Sequence, residues 1–530
     1  MSLRSRLILP IIVSALAFLA GCGSSTHNPV PPPTGGFSNT NFNGTYTFSV
    51  LGADVNGTFA MAGTLTACGC SGGTISAGTV DLADPVLVAP GSTIGSSSTY
   101  SITPDGRGRA TLQVTNTAAS LNTPVEVDFV LTSSTHGLIM FSNGGSASGT
   151  IDLQPAAVTS LGNTAFAFNL LGTDFNGNPI ATVGSFTLDG NGNIVGSPAG
   201  VVDFNYSTAP STNLVLTGGI GLGSGTAPGV ATLSSSFGVL NFDVYAVDNT
   251  HLKLMENDGQ AIVVGDVYTQ PSATIPGSLV FTMAGVDSAA DNIFVAGGLM
   301  STDGASTITG GSEDINEGGS VDGGTSPAAP VSFGGSFVQN GAGRFQFALS
   351  NFAGGTNFVA YPSSGGIFML EVDTGLNPGI TSGVAIPQTG TSLAAQGYGL
   401  NLTGQDINGE LDEIAEFTAT TTGLTGLLDE DESFSTDTHN LSGSYTAGSN
   451  GEGSATLSSG MAGLFFYVAD SSDALFISTD PNQVALGSFQ AQTAPSSAAI
   501  VTQQHLGMLR SVHALRASKN KAKTGFRQAK

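Results

Sequence analysis

Four segments of this chain open with one pattern: Tyr46-Thr-Phe-Ser-Val-Leu-Gly-Ala-Asp54, Phe166-Ala-Phe-Asn-Leu-Leu-Gly-Thr-Asp174, Leu279-Val-Phe-Thr-Met-Ala-Gly-Val-Asp287 and Tyr398-Gly-Leu-Asn-Leu-Thr-Gly-Gln-Asp406. Large apolar residues hold alternate positions, and Gly-x-Asp follows. The shared glycines, Gly52, Gly172, Gly285 and Gly404, are spaced by 120, 113 and 119 residues. Each segment also closes on Gly-x-x-x-x-Gln: Gly149 to Gln154, Gly265 to Gln270, Gly383 to Gln388 and Gly487 to Gln492. Two landmarks in the same order, four times, constrain the chain to four tandem copies of one folding unit.

The copies read as all-β. Alternation of apolar and polar residues gives strands of period two, and Asp-Gly and Asn-Gly pairs supply the positive φ that tight hairpin turns need. In the second copy, Val183 to Leu188, Asp189-Gly-Asn-Gly-Asn193 and Ile194 read as strand, turn, strand. The same mid-unit turn is expected at Asp105-Gly-Arg-Gly108, Asn340-Gly-Ala-Gly343 and Asn450-Gly-Glu-Gly453. Composition agrees. Charged residues are 10% of the chain, against about 25% in ordinary domains, there is no Trp, and glycine is plentiful at 75 residues. About eight strands per unit and no helix are expected. Consecutive hairpins make a meander that can close into a barrel and so remove its edges. In layout alone this resembles the up-and-down barrels of avidins and lipocalins; an immunoglobulin-like sandwich is the alternative.

The N-terminus carries Arg4 and Arg6, an apolar run from Leu7 to Leu19, and then Leu19-Ala20-Gly21-Cys22. The run is short for a membrane span and fits a signal-peptide core. The four-residue box resembles the lipobox of bacterial lipoproteins. That resemblance implies cleavage before Cys22, acylation of Cys22 and an envelope location. Gly23, where an Asp resembles an inner-membrane retention signal, points to the outer membrane. Residues 1–21 are read as signal peptide, 22–41 as a lipidated flexible tether, 42–154, 163–270, 277–388 and 395–492 as β-repeats, and 493–530 as a basic tail.

Charge excludes one class of partner. The tail holds seven basic residues and the signal two, which leaves Arg107, Arg109, Lys253 and Arg344 in the body against all 38 acidic residues. Such a field repels nucleic acid and anionic headgroups. The tail, with Leu506, Leu509, Val512 and Leu515 at helical spacing, has three destinations: the acidic body, anionic lipid, or solvent.

Asp54, Asp174, Asp287 and Asp406 are expected to cap turns rather than bind calcium. Asp189 to Asn193 begins like a calcium loop but has Ile194 and Gly200 where Gly and Glu are required, so a hairpin turn is expected. Glu410, Asp412, Glu413 and Glu416, with Asp429 to Glu432, are read as a solvated acidic face, with weak calcium binding as the alternative. Cys68 and Cys70 are read as a structural or unpaired turn, with a reducible disulfide as the alternative in an oxidising envelope. His136, His251 and His439 are read as structural, and no catalytic residue, cofactor or metal site is assigned. The reading is an acidic string of four β-domains anchored through Cys22, with a binding, adhesion or surface-structural role toward a surface protein or glycan. The competing readings are an envelope hydrolase and capture of a small ligand inside each barrel, the last of which requires hollow interiors.

Overall fold

The structure is a computed structural model. It describes residues 36–493 apart from 143, 208, 272, 288–291, 322–329, 342, 375–378, 433 and 459–462, with backbone alone at 197–199 and 287. Cys22 and the basic tail lie outside the described residues.

Each copy forms a closed antiparallel barrel. The first strands, Asn43–Asp54, Ala165–Asp174, Ser278–Asp287 and Gly397–Asp406, each pair with the second strand on one side and the last on the other. Units 2 and 4 run through eight strands in simple order. In unit 1 the fourth position is split into Val88–Ile94 and Ser98–Ile102, both paired with Arg107–Asn116. In unit 3 a two-residue strand, Ser320–Val321, adds a small hairpin to Thr307–Glu317. Among the described residues the one helical element is a 3-10 turn at Asn39–Asn41, and no helix is long and apolar enough to cross a membrane.

The repeated glycines have a steric cause. A Cβ on Gly52 would lie 2.2 Å from the carbonyl oxygen of Ser146 in the last strand, and the same clash arises at Gly172 (1.8 Å), Gly285 (2.5 Å) and Gly404 (2.3 Å). First and last strands approach too closely there for any side chain, so only glycine lets the barrel close. In units 1, 2 and 4 the aspartate two residues on holds the next turn, while the Asp287 side chain lies outside the described residues. Asp54 Oδ1 accepts from the backbone N–H of Asn56 and Gly57 at 2.7 and 3.1 Å, Asp174 Oδ1 from Asn176 and Asn178, and Asp406 Oδ1 from Asn408 and Gly409.

All four interiors are filled. Phe48, Met61, Leu112 and Ile139 pack in the first, Phe168, Phe186, Leu216 and Leu254 in the second, Phe281, Phe337, Phe347 and Met369 in the third, and Leu400, Phe417, Phe466 and Phe489 in the fourth. Capture of a ligand within these barrels is therefore set aside.

The strands are not buried alike. Phe345–Ser350 and Gly229–Ser234 alternate between core and solvent, whereas His136–Phe141, His251–Glu256, Gly366–Glu371 and Asp473–Ser478 are buried at every residue. A strand buried on both faces needs a second layer, and here it is the neighbouring barrel. The first two strands of unit 1 lie on the last three of unit 2. Ala165–Asp174 and Pro179–Leu188 lie on Asn357–Ser363 and Gly366–Glu371. Ser278–Asp287 and Asn292–Thr302 lie on Gly463–Val468 and Asp473–Ser478. Gly397–Asp406 and Glu410–Ala419 return to Leu121–Leu131 and His136–Phe141 of unit 1. The contact at each joint is partly apolar, as where Ile414 of unit 4 meets Val130, Leu138 and Met140 of unit 1. The open string expected from the sequence is corrected: the units form a closed cycle in which the fourth packs on the first.

The Asp189 turn does not correspond to the other three expected mid-unit turns. The Asp189 turn joins the second and third strands of its unit, as do the turns at Gly69 to Gly73 and Asp303 to Ser306. The turns at Asp105, Asn340 and Asn450 join later strands. Gly-rich turns look alike in sequence wherever a hairpin reverses, so their spacing alone misled.

Candidate functional site

The closing glutamines show how the cycle is held. Gln154 Nε2 donates to the Ala246 carbonyl of unit 2 at 2.7 Å. Gln270 donates to Gly343 and Pro362 of unit 3 at 3.3 and 2.9 Å. Gln388 donates to Asn450 and Val468 of unit 4 at 2.9 and 3.0 Å. Gln492 donates to Asp105 and Leu131 of unit 1 at 2.7 and 3.1 Å. A motif visible only as a landmark is thus a joint: each unit ends by satisfying carbonyls of the next, and the last returns to the first.

A second element recurs beneath it. Asp81, Asp203, Asp314 and Asp429 hold one register position in the third strand, opposite Ala62, Val183, Gly297 and Ile414. Each faces the next unit. The Arg344 guanidinium forks onto Asp203 with Nε–Oδ2 at 2.7 Å and Nη2–Oδ1 at 2.8 Å, and Tyr361 donates to the same carboxylate. Tyr467 donates to Asp314 at 2.8 Å. Arg107 Nη1 lies 3.0 Å from both oxygens of Asp429. Asp81 stands beside Tyr245; burial, with Asp243 next in effect, pushes its carboxyl up to about 8. Tyr245, Tyr361 and Tyr467 occupy one position in the late strands, and unit 1 has Val130 there, with Arg107 supplying the donor instead. Three of the nine tyrosines fall at this one place in the repeat, a regularity that the sequence carries.

The histidines enter a buried network across the joints. His136 Nδ1 lies 2.6 Å from Asp152 and its Nε2 2.8 Å from Gln490 of unit 4. Lys253 of unit 2, fully buried, bridges Asp152 at 3.1 Å and Asp266 at 3.2 Å, and His251 Nε2 meets Asp266 at 2.8 Å. Burial raises the Asp152 carboxyl, but Lys253 and His136 more than offset this and hold it well below the usual range. His439 is different: partly exposed, it lies 3.8 Å from Glu430.

The acidic run of unit 4 departs most from expectation. Glu410, Asp412, Glu413, Glu416, Asp429 and Asp431 are buried, not a solvated face. The reason is that both sides of these two strands are covered. Glu413 shares its side with the core residues Leu411, Ala415 and Phe417, opposite Glu430. Asp412 and Glu416 share a side with Ile414 and meet unit 1, where Ser146 donates to Asp412 at 2.7 Å. Burial drives the Glu413 carboxyl well up, with Glu430 adding to it. Glu416 is pushed up to about 8 by burial and Asp105, against the opposing pull of Arg107. Asp431 rises to about 7 through burial and Asp412, although the Thr436 hydroxyl pulls the other way. Asp406, Glu430, Glu432 and Asp480 line a small cavity of about 160 Å³ nearby. Among the described residues, no three His, Cys, Asp or Glu side chains converge as a metal-ligand set.

Cys68 and Cys70 are disulfide-bonded to each other in the second turn of unit 1, so the unpaired alternative is corrected. Asp189 Oδ1 accepts from the N–H of Asn191 and Asn193 at 2.8 and 2.9 Å, as a hairpin cap.

No family model and no curated protein matches the chain. Among solved structures, the intact Ap-TbpB (N and C lobes) is 10% identical over 70% of this chain and 84% of its own, with a TM-score of 0.17. A Trp-176-Ala mutant of the vaccine antigen Transferrin Binding Protein B from Haemophilus parasuis Hp5 is 8% identical over 84% and 95%, with a TM-score of 0.16. Neither similarity extends to a common overall backbone.

Proposed function

We propose that this chain is a lipid-anchored protein of the bacterial cell envelope, held in the outer membrane through Cys22, with a binding, adhesion or surface-structural role. The observation that carries the reading is the Leu19-Ala20-Gly21-Cys22 box behind a basic n-region and a short apolar run. Stable anchoring takes more than one acyl chain, and the acylated cysteine of the lipoproteins it resembles supplies that. The Ser, Thr, Pro and Gly of residues 23–36 suit a tether between anchor and body.

The body suits a rigid scaffold. Closed barrels leave few free edges for strand addition, so a partner meets faces and loops instead. His136 and His251 are committed to hydrogen bonds within and between barrels, and the body's fixed charge is acidic, which favours a neutral or basic partner over nucleic acid.

Metabolic labelling with a radioactive fatty acid tests the anchor. The expected result is label on the wild-type chain in the envelope fraction, and complete loss of label with release from that fraction for Cys22→Ser. Label retained by the variant would refute lipidation at Cys22.

A further inference from the structure

One position in the repeat differs sharply between units. The first residue of the strand after the late turn is His136, His251, Gly366 or Asp473, and the residue across from it in the last strand is Asp152, Tyr268, Ile386 or Gln490. Units 1 and 2 carry an imidazole at this position. Unit 3 has glycine, and a cavity of about 400 Å³ lies against Gly366 and Ile386. It sits between the late turns of units 3 and 4 and the connector that enters unit 3.

The lining has a definite chemistry. Pro271, Pro276, Pro362 and Pro387 form apolar walls, with Pro271 and Thr389 on an exposed rim. Two carboxylates, the half-buried Asp470 and the buried Asp473, line it too, with Thr274, Ser363, Ser364 and Thr389, and no basic residue does. Asp470 Oδ1 is used by its own turn, accepting from the N–H of Ser472 and Asp473 at 2.7 and 3.1 Å. Asp473 is 6% exposed, and among the described residues its carboxylate oxygens have no hydrogen-bond partner. Its carboxylate therefore lines the cavity free to accept from a donor placed there.

We propose that this cavity binds a small organic ammonium ion, its charged end on Asp473 and Asp470 and its hydrocarbon against the prolines. The size falls in the range of small-molecule sites, and a mostly apolar wall with a few placed polar groups is their usual make-up. An inorganic cation fits less well, because among the described residues no three His, Cys, Asp or Glu side chains converge as a ligand set, and Asp470 Oδ1 is already taken by its own turn. Burial and Asp470 push the Asp473 carboxyl up to about 7, with His136 of unit 1 pulling down. Binding therefore strengthens as pH rises through 7, where the carboxylate forms while an alkylamine stays charged.

The test is isothermal titration of the whole mature chain with cyclohexylamine at 150 mM salt, with cyclohexanol as the neutral probe and calcium chloride as the inorganic one. Cyclohexylamine is expected to bind at pH 8, about tenfold more weakly at pH 6, and at least tenfold more weakly to Asp473→Asn. Asp437→Asn, an exposed carboxylate elsewhere on unit 4, should leave the affinity unchanged. Should Asp473→Asn melt abnormally, Thr389→Trp on the rim gives the same readout by plugging the mouth. Equal binding of cyclohexanol, calcium binding that excludes the amine, an unaltered affinity in natively melting variants, or no heat at all would overturn the proposal.

Discussion

Replacing Arg344 by alanine is expected to cost about 3–5 kcal/mol of stability, the usual penalty for leaving a buried charge without its partner. Arg344 and Asp203 are 3% and 0% exposed, and the guanidinium makes two parallel bonds across the joint between units 2 and 3. Without it, among the described residues Asp203 retains the Tyr361 hydroxyl and the N–H of Asn213. Urea unfolding of the single variant, of Asp203→Asn and of the double variant separates the pair from its parts. The expected outcome is that the double variant is much less damaged than the two singles together. Additive losses would mean that the two residues act independently and that the joint is held by its apolar contacts alone.

The second large effect is on pH. Glu416 and Asp431, buried where unit 4 meets unit 1, titrate near 8 and 7 in the folded chain, against near 4 when unfolded. A raised carboxyl contributes no penalty below its unfolded pKa, because it is protonated in both states. As pH climbs from about 4.5 to about 8, the unfolded chain ionises first and gains, so stability falls; above about 8 the loss is complete. Asp81 and Asp473 act in the same direction. Since a tenfold change in proton affinity is worth about 1.4 kcal/mol, the sum is several kcal/mol. Urea unfolding at constant ionic strength should therefore find the protein more stable at pH 5 than at pH 8.5, and Glu416→Gln with Asp431→Asn should flatten the dependence. A stability that rises over this interval would contradict the burial of these groups.

These two joints also show what sequence could and could not convey. The unit, its repeat and its barrel closure were legible because their causes are local or periodic. Gly52 and its counterparts recur since two strands touch there, and Asp54, Asp174 and Asp406 recur since each holds the turn beside it. The cycle was not legible, although its fastening was in view. Gln492 is plain in the sequence, but its acceptors, Asp105 and Leu131, lie more than 350 residues earlier. The acidic run misled for a related reason. Eight carboxyls within Glu410 to Glu432 normally mean solvent, because burying them is costly. Here one side of the strands faces a barrel interior and the other faces unit 1, a layer whose presence nothing local announces. The carboxyls remain buried by holding their protons, by taking Arg107, or by hydrogen bonds such as that from Ser146.

The central claim is that unit 4 closes on unit 1. Thr436 of unit 4 donates its hydroxyl to the Ser142 carbonyl at 2.9 Å, so the two backbones are neighbours although 294 residues separate them. Cysteines at both positions, Ser142→Cys with Thr436→Cys, in a chain lacking Cys22, should oxidise to an intramolecular disulfide. The cross-linked chain should run faster on a denaturing gel and return to normal mobility on reduction. Free thiols after oxidation, or only intermolecular dimers, would show four barrels on an open string and contradict the closed cycle.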